Sequence, residues 1–455
     1  MLSNLSLENF KSWKRIPKMR LAPITGMFGP NSSGKTSIIQ LLLMLKQTVA
    51  SSDRAQVLNF GDAQSLVSLG TFREIIYRQA APAVVRWSLC WDLPEPLKVM
   101  DPERKSLALF SDAQMGFAGE VTQNGTGRVM ATNISYHFAN RHFTMKRKGE
   151  TGEAYELITT PEEGYTFRRA QGRPWDLPPP VKCYGFPDRV KAYYQNAEFL
   201  SDFQLAFEDL FGRIYYLGPL REYPHREYTW AGAQPDDMGK KGEKVVDALL
   251  ASREQDKISR GRGRGMKKWT VEQFVADWLQ KLGLIYEFHV DRITEDSNIY
   301  RVRVQKSQGA SDVLITDVGF GVSQILPVLT LCYYVPEGST LLLEQPEIHL
   351  HPSVQAGLAD VFIDAVKRRK IQIIIESHSE HLLRRLQRRI AEEKIRSSDT
   401  ALYFCTIEGG TSRLTTLNVD PRGNIRNWPD GFFGDEYEDI AAMQRANMRR
   451  KKQDS

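Results

Sequence analysis

The chain has 455 residues, with 61 Lys and Arg against 55 Asp and Glu, a net charge of +6 and 41% hydrophobic residues. That length admits one large core or two to three ordinary domains, so burial is not limiting and no covalent or metal staple is needed. The four cysteines, Cys90, Cys183, Cys332 and Cys405, form neither a C-x-x-C pair nor a His/Cys cluster, which argues against structural zinc and a disulfide framework. The opening MLSNLSLENFKSW lacks the basic and apolar halves of a secretory signal, and runs such as IIQLLLML are far short of a bilayer span. A cytoplasmic protein is expected.

ITGMFGPNSSGKTSIIQLLLML (24–45) begins as a short apolar run, passes through a Gly-rich loop and continues with apolar residues at helical spacing. GPNSSGKT fits G-x-x-x-x-G-K-[ST] at every fixed place, with Gly29, Gly34, Lys35 and Thr36. The glycines let backbone N–H groups turn inward as an anion nest at a helix N-terminus, where the dipole also favours phosphate. Asn31, Ser32, Ser33, Gly34, Lys35, Thr36 and Ser37 are the candidate nucleotide contacts. Lys35 would reach the outer phosphates and the Thr36 hydroxyl would ligate Mg²⁺.

RVMATNISYHF, RHFTMKRKGETGEAYELITT and GYTFRRA alternate apolar with polar residues around turn signals, which predicts a small β-meander. No a/d heptad pattern persists there and Pro and Gly recur, so a coiled-coil arm is excluded. DRVKAYYQNAEFLSDFQLAFEDLFG (188–212) reads as helix and RIYYLGPL (213–220) as strand, with Arg221 following as either a nucleotide or partner contact or half of a salt bridge. SRGRGRGMKKW (259–269) lies between the helical stretches EKVVDALLASR and TVEQFVADWLQKLG. Arg262, Arg264, Lys267, Lys268 and Trp269 are candidate contacts to nucleic-acid phosphates and bases or to a partner; the alternative is a solvated surface loop. RANMRRKK (445–452) is a second basic block with the same two readings.

GFGVSQ (319–324) opens the helix-like run ILPVLTLCYY, and its amides with Ser323 form a second potential phosphate-binding helix start. TLLLE (340–344) reads as a buried parallel strand ending in a carboxylate, placing Glu344 beside the phosphates. PSVQAGLADVFIDAVKRRK reads as an amphipathic helix, and IQIIIESHSEHLL (371–383) as another buried strand, ending at His378. ALYFCTIEGGTSRLTTLNVDPRGNIRNW reads as two strands and a turn, with no D-x-D pair to suggest a nuclease centre.

These four motifs, in this order, resemble an ATPase head of the ABC superfamily, in the branch containing RecF, SMC heads and OLD-family proteins. By that resemblance GPNSSGKT is Walker A, GFGVSQ the signature, LLLEQP Walker B and His378 the switch histidine. LSLENFKSW resembles the branch's first strand. The resemblance implies an α/β fold with a mixed central sheet flanked by helices, residues 1–80 and 312–420 forming the head's two lobes. Residues 81–311 would be a β-rich and helical insertion, and 421–455 a C-terminal segment. It implies ATP and Mg²⁺ as cofactors, with Thr36 and Glu344 at the metal. The signature residues Gly319, Gly321, Ser323 and Gln324 would act in trans across a homodimer or higher oligomer. YYLGPLREYPHREY and GNIRNWPDGFFGDEYED resemble features of a bacterial subgroup found in antiphage loci beside an effector gene. The expectation is an ATP-held switch or scaffold for a separately encoded effector, possibly a nuclease; the alternative is a RecF-like clamp on DNA. Gln345 stands where the family carries its catalytic glutamate, which implies slow hydrolysis. Glu347, two residues on, either supplies the missing carboxylate after a turn at Pro346 or caps the next helix.

Overall fold

The computed structural model describes residues 1–100, 108–149, 154–163, 165–170, 172, 176–255, 258–259, 268–429 and 442–445. In chain order the first elements are strands β1 (Leu2–Phe10), β2 (Trp13–Arg20) and β3 (Ile24–Phe28), followed by helices α1 (Lys35–Ala50) and α2 (Phe72–Ile75). Then come β4 (Val84–Met100), β5 (Ala108–Gln123), β6 (Val129–Phe138), β7 (Arg141–Arg147) and β8 (Tyr155–Thr160). Helices α3 (Arg189–Tyr193) and α4 (Leu200–Gly212) lead to β9 (Ile214–Leu217), β10 (Tyr228–Thr229), α5 (Val245–Ala251), β11 (Ile258–Ser259), β12 (Lys268–Trp269) and α6 (Val271–Lys281). The remainder is β13 (Glu287–Arg292), β14 (Ile299–Gln305), β15 (Val313–Leu314), α7 (Phe320–Tyr334), β16 (Thr340–Glu344), α8 (Pro352–Arg369), β17 (Gln372–Glu376), α9 (Glu380–Ala391), β18 (Thr400–Glu408) and β19 (Thr411–Thr416).

The central sheet runs β19-β18-β3-β17-β16-β9, parallel except for the antiparallel β18–β19 pair. This is the mixed α/β sheet expected, and RIYYLGPL does return to it as β9, beside β16. Parallel strands covered on both faces read as unbroken apolar runs, which is why TLLLE and QIIIE show no alternation. The alternation is instead in what they touch. Leu342 and Ile374 face one core with α1 and α4, whereas Leu341, Leu343, Ile373 and Ile375 face a second with α5 to α9. Each fully buried large side chain in these cores contributes about 1.5–3 kcal/mol by removal from water.

The second large sheet, β2-β1-β4-β5-β6-β7-β8, is antiparallel throughout. The meander is present, and it continues the hairpin β1–β2, so the sheet runs across residue 80 without a break. Phe117, Tyr136, Phe143, Phe203 and Phe207 fill the layer between this sheet and α4. The stretch 188–212 is two helices rather than one. Asn196 interrupts it: its side-chain amide donates to Thr166 O at 2.9 Å and its oxygen accepts from the Arg168 N–H at 2.9 Å, the local competition that Asn offers a helix. Strand β17 stops at Glu376, two residues before His378, the tip residue expected from the sequence.

His137 and His142 face each other across β6 and β7 with ring centroids 4.1 Å apart. Burial, and then the neighbouring His142, push the His137 pKa down to about 4 from the ordinary 6.5. The unfolded chain therefore takes up a proton below pH 6.5 that the folded chain refuses, and stability is lost as pH falls from about 6.5 toward 4. His137→Gln should flatten the fall in melting temperature between pH 7 and pH 4; an unchanged pH slope would refute this assignment.

Among the described residues no helix is long and apolar enough to cross a membrane.

Candidate functional site

The candidate site lies at the carboxyl end of β3, β17 and β16, where open parallel sheets place their ligands. Gly29, at φ 137°, leaves β3, and a Cβ there would stand 2.1 Å from the Cys405 carbonyl oxygen on β18. Gly34, at φ 95°, ends the loop as the N-cap of α1. A Cβ on it would strike the hydroxyls of Ser412 and Ser12 and the Trp13 ring, and Trp13 Nε1 donates to Gly34 O at 2.9 Å. Both glycines are therefore required by backbone angle and by space. No side chain caps α1 and no acid stands in its first turn, so its N-terminal dipole is left for an outside anion.

Asn31 and Ser32 are exposed, Ser33 is buried, Gly34 and Thr36 are half-buried, and Lys35 and Ser37 are buried. Lys35, 2% exposed, curls back on the loop's own carbonyls, donating to Gly29 O at 3.0 Å and Pro30 O at 2.7 Å. Burial lowers its pKa, and the charges of Glu376, Cys405 and Glu347 oppose that shift.

Opposite the loop, β16 and β17 run in register, so that Glu344 and Glu376 are paired at their tips. The Thr36 hydroxyl donates to Glu376 Oε1 at 2.9 Å, while Glu344 Oε1 accepts from the Tyr216 hydroxyl at 3.0 Å. Burial, then repulsion from Glu376, raises the Glu344 pKa to about 7. Glu376 and Glu347 are also raised, chiefly by burial. Three carboxylates in this space, with Glu376 Oε2 and Glu347 Oε2 unpartnered, are a strongly cation-seeking arrangement.

Among the described residues no group of three or more His, Cys, Asp or Glu is arranged to hold a metal unaided. Mg²⁺ is a hard ion held by one or two protein oxygens together with phosphates and water. The hydroxyl of Thr36 and the carboxylates of Glu344 and Glu376 are the oxygen donors that fit.

After β16 the backbone turns sharply: Gln345 has φ 43° and its N–H donates to Glu376 O at 2.8 Å. Glu347 is thereby brought into the site, 6% exposed, and its Oε1 accepts from the His378 N–H at 2.7 Å. It does not cap the helix that follows it, as one reading of the sequence had it; α8 is capped by His351, whose ring accepts from Ser353 N. His378 is half-buried, its pKa lowered by burial and then by the charge of Lys35, and Gly29 acts on it as a backbone acceptor. His378, the phosphate loop and the end of β16 are thus one cluster.

The signature candidates lie apart from it. Gly319 is the exposed N-cap of α7 and Gly321 is half-buried in its first turn. Ser323 and Gln324 are each 7% exposed; Ser323 Oγ donates to Phe320 O at 2.9 Å. Ser323 lines a small cavity with Glu222, Tyr223 and His225 of the same chain. Arg262, Arg264 and Lys267 lie outside the described residues. Lys268 is exposed, and Trp269 is half-buried with its ring 5.4 Å from Phe274.

Sequence reasoning missed Glu376 and Tyr216 as site residues and left Arg221 open. The signal for Glu376 was present, because QIIIE repeats the pattern of TLLLE, an apolar strand ending in Glu. Arg221 is 6% exposed, with its pKa pushed down to about 10 by burial against the charges of Tyr216, Glu344 and Glu347.

Residues 202–384 match the family described as "AAA domain, putative AbiEii toxin, Type IV TA system", and residues 395–443 match a protein family of unknown function, DUF3696. The matched AAA-domain stretch holds the tip of β16, Glu347 and His378 but not the phosphate loop. Among solved structures, the chain is similar to an SMC head bound to the C-winged helix domain of ScpA, at 11% identity and TM-score 0.44, covering 92% of this chain and 98% of that one. An SMC head domain from Thermotoga maritima is 13% identical at TM-score 0.40, covering 92% and 99%. An SMC head with an extended coiled coil, bound to the C-terminal domain of ScpA derived from Pyrococcus furiosus, is 10% identical at TM-score 0.43, covering 91% and 96%. No curated protein matches the sequence.

Proposed function

We propose that this chain binds MgATP between its phosphate loop and the tips of β16 and β17, dimerises through its signature segment, and acts as a slowly hydrolysing switch for a separately encoded effector. The observation that carries the reading is Gln345. It occupies the place after Glu344 where a carboxylate would activate water, and a neutral amide orients water without taking its proton.

In this reading Lys35 leaves the carbonyls of Gly29 and Pro30 for the phosphates, and the α1 amides complete the anion nest. Thr36, Glu344 and Glu376 hold Mg²⁺, which supplies charge neutralisation of the phosphates when bound. Tyr216 fixes the orientation of Glu344. Glu347 holds the 377–379 turn that carries His378 and keeps Oε2 free toward the site. Positioning and charge dominate phosphoryl transfer, so a site with these parts and an amide at position 345 favours a long-lived loaded state over rapid turnover. A role in bacterial defence is supported by the toxin–antitoxin description of the matched AAA family.

The test is mass in solution by light scattering, with and without MgATP. The expected result is a monomer without nucleotide and a dimer or larger assembly with it, lost again in Lys35→Ala. A monomer in every state would end the switch reading. Salt-sensitive binding to duplex DNA that strengthens with ATP would instead favour the repair-clamp alternative.

A further inference from the structure

The loop between β9 and β10 carries groups that the proposed function does not use. Its base is fixed to a neighbouring turn, Gly218 N donating to Lys240 O at 2.8 Å and Glu222 N to Lys241 O at 2.9 Å. Between those anchors Leu220 is 70% exposed while Arg221, the next residue, is 6% exposed. The loop turns its aliphatic side chain outward and its cation inward, the reverse of what burial alone would select.

The buried guanidinium makes one long contact, Nη2 to Glu344 O at 3.5 Å, and its Nε and Nη1 have no hydrogen-bond partner. Glu347 Oε2, whose charge acts on Arg221, is likewise without a partner. Each unfilled buried donor costs about 1–3 kcal/mol, more for a charged group, so an arrangement with two of them on one cation calls for a further occupant. A guanidinium with unfilled donors on two of its nitrogens fits an anionic phosphate oxygen. The same loop reaches the signature. Tyr223 packs edge-on against Phe320 at 5.8 Å, Arg226 pairs with Asp317 at 3.0 Å, and Glu222, Tyr223 and His225 line one small cavity with Ser323.

We propose that Arg221 is a nucleotide-contacting residue supplied by the chain's own site, whose unfilled donors take an anionic oxygen of bound triphosphate. This rests on the nucleotide reading above and adds to it a residue that distinguishes ATP from ADP. The same short loop touches Phe320 and Asp317 at the start of α7, which gives loading a physical route to the signature candidates.

The test is the affinity of the full chain for a fluorescent ADP and for a fluorescent, non-hydrolysable ATP analogue, both with Mg²⁺. The parent should prefer the triphosphate by about tenfold or more, equivalent to about 1.4 kcal/mol. Arg221→Gln should bring that ratio close to one while changing ADP affinity less than about twofold, and Arg221→Lys should restore part of it. A ratio unchanged in Arg221→Gln overturns the proposal. So does an equal loss of both nucleotides accompanied by a lower melting temperature that Arg221→Lys repairs without restoring the ratio, which would make Arg221 a structural charge. Lys35→Ala keeps the two readings separable, because nucleotide binding that survives there strikes the phosphate-loop assignment itself.

Discussion

Lys35→Ala is expected to abolish measurable nucleotide binding while leaving the fold in place. Two charge-assisted hydrogen bonds to phosphate oxygens would be lost, each worth about 1.5–3 kcal/mol, which predicts a fall in ATP affinity of at least about a hundredfold. The folded state loses little in exchange. Lys35 is buried at a desolvation cost and its bonds go to loop carbonyls, so removing it sheds an unfavourable burial together with those bonds. Calorimetric titration with MgATP and a thermal melt of the same sample separate the two effects. Affinity within about threefold of the parent, with an unchanged melt, would refute the assignment of Lys35.

Gln345→Glu should have the opposite sign. A positioned general base contributes about 10²–10⁴-fold to rate, and turnover should rise into that range as the loaded dimer shortens its life. The substitution adds a fourth carboxylate near Glu344, Glu347 and Glu376, so the nucleotide-free protein should melt lower than the parent, and Mg²⁺ should recover part of the difference. Glu347→Gln distinguishes the remaining possibility. Its amide oxygen can still accept from the His378 N–H, so the 377–379 turn is kept while the charge is removed. If Glu347 already serves as base, parent turnover is appreciable and collapses in this variant. Fast parent turnover that ignores Glu347→Gln would defeat both accounts of this site.

The sequence made the phosphate loop, the tip of β16 and the neighbourhood of His378 legible for one reason. Each is a local pattern, a glycine-spaced turn or an apolar run ending in a charge, whose geometry follows from a few adjacent residues. Glu376 carries the same pattern, an apolar strand ending in a charge. Tyr216 and Trp13 had no such pattern. Tyr216 reaches Glu344 only because β9 lies beside β16, and Trp13 reaches Gly34 only because the hairpin β1–β2 folds over α1. Pairings of that kind are set by sheet order, which a linear reading does not contain. The cavity shared by residues 222–225 and Ser323 was invisible for the same reason: it forms only through the packing of a loop on a helix.

The wall behind Gly34 has a consequence for how the protein is made. Ser12 and Ser412 are hydrogen-bonded at 2.7 Å although 400 residues separate them, and both stand against the same glycine with Trp13. The phosphate loop is thus made long before part of its back wall, and a chain interrupted before residue 412 carries the motif without that support. Such a fragment should bind nucleotide more weakly than the longer chain.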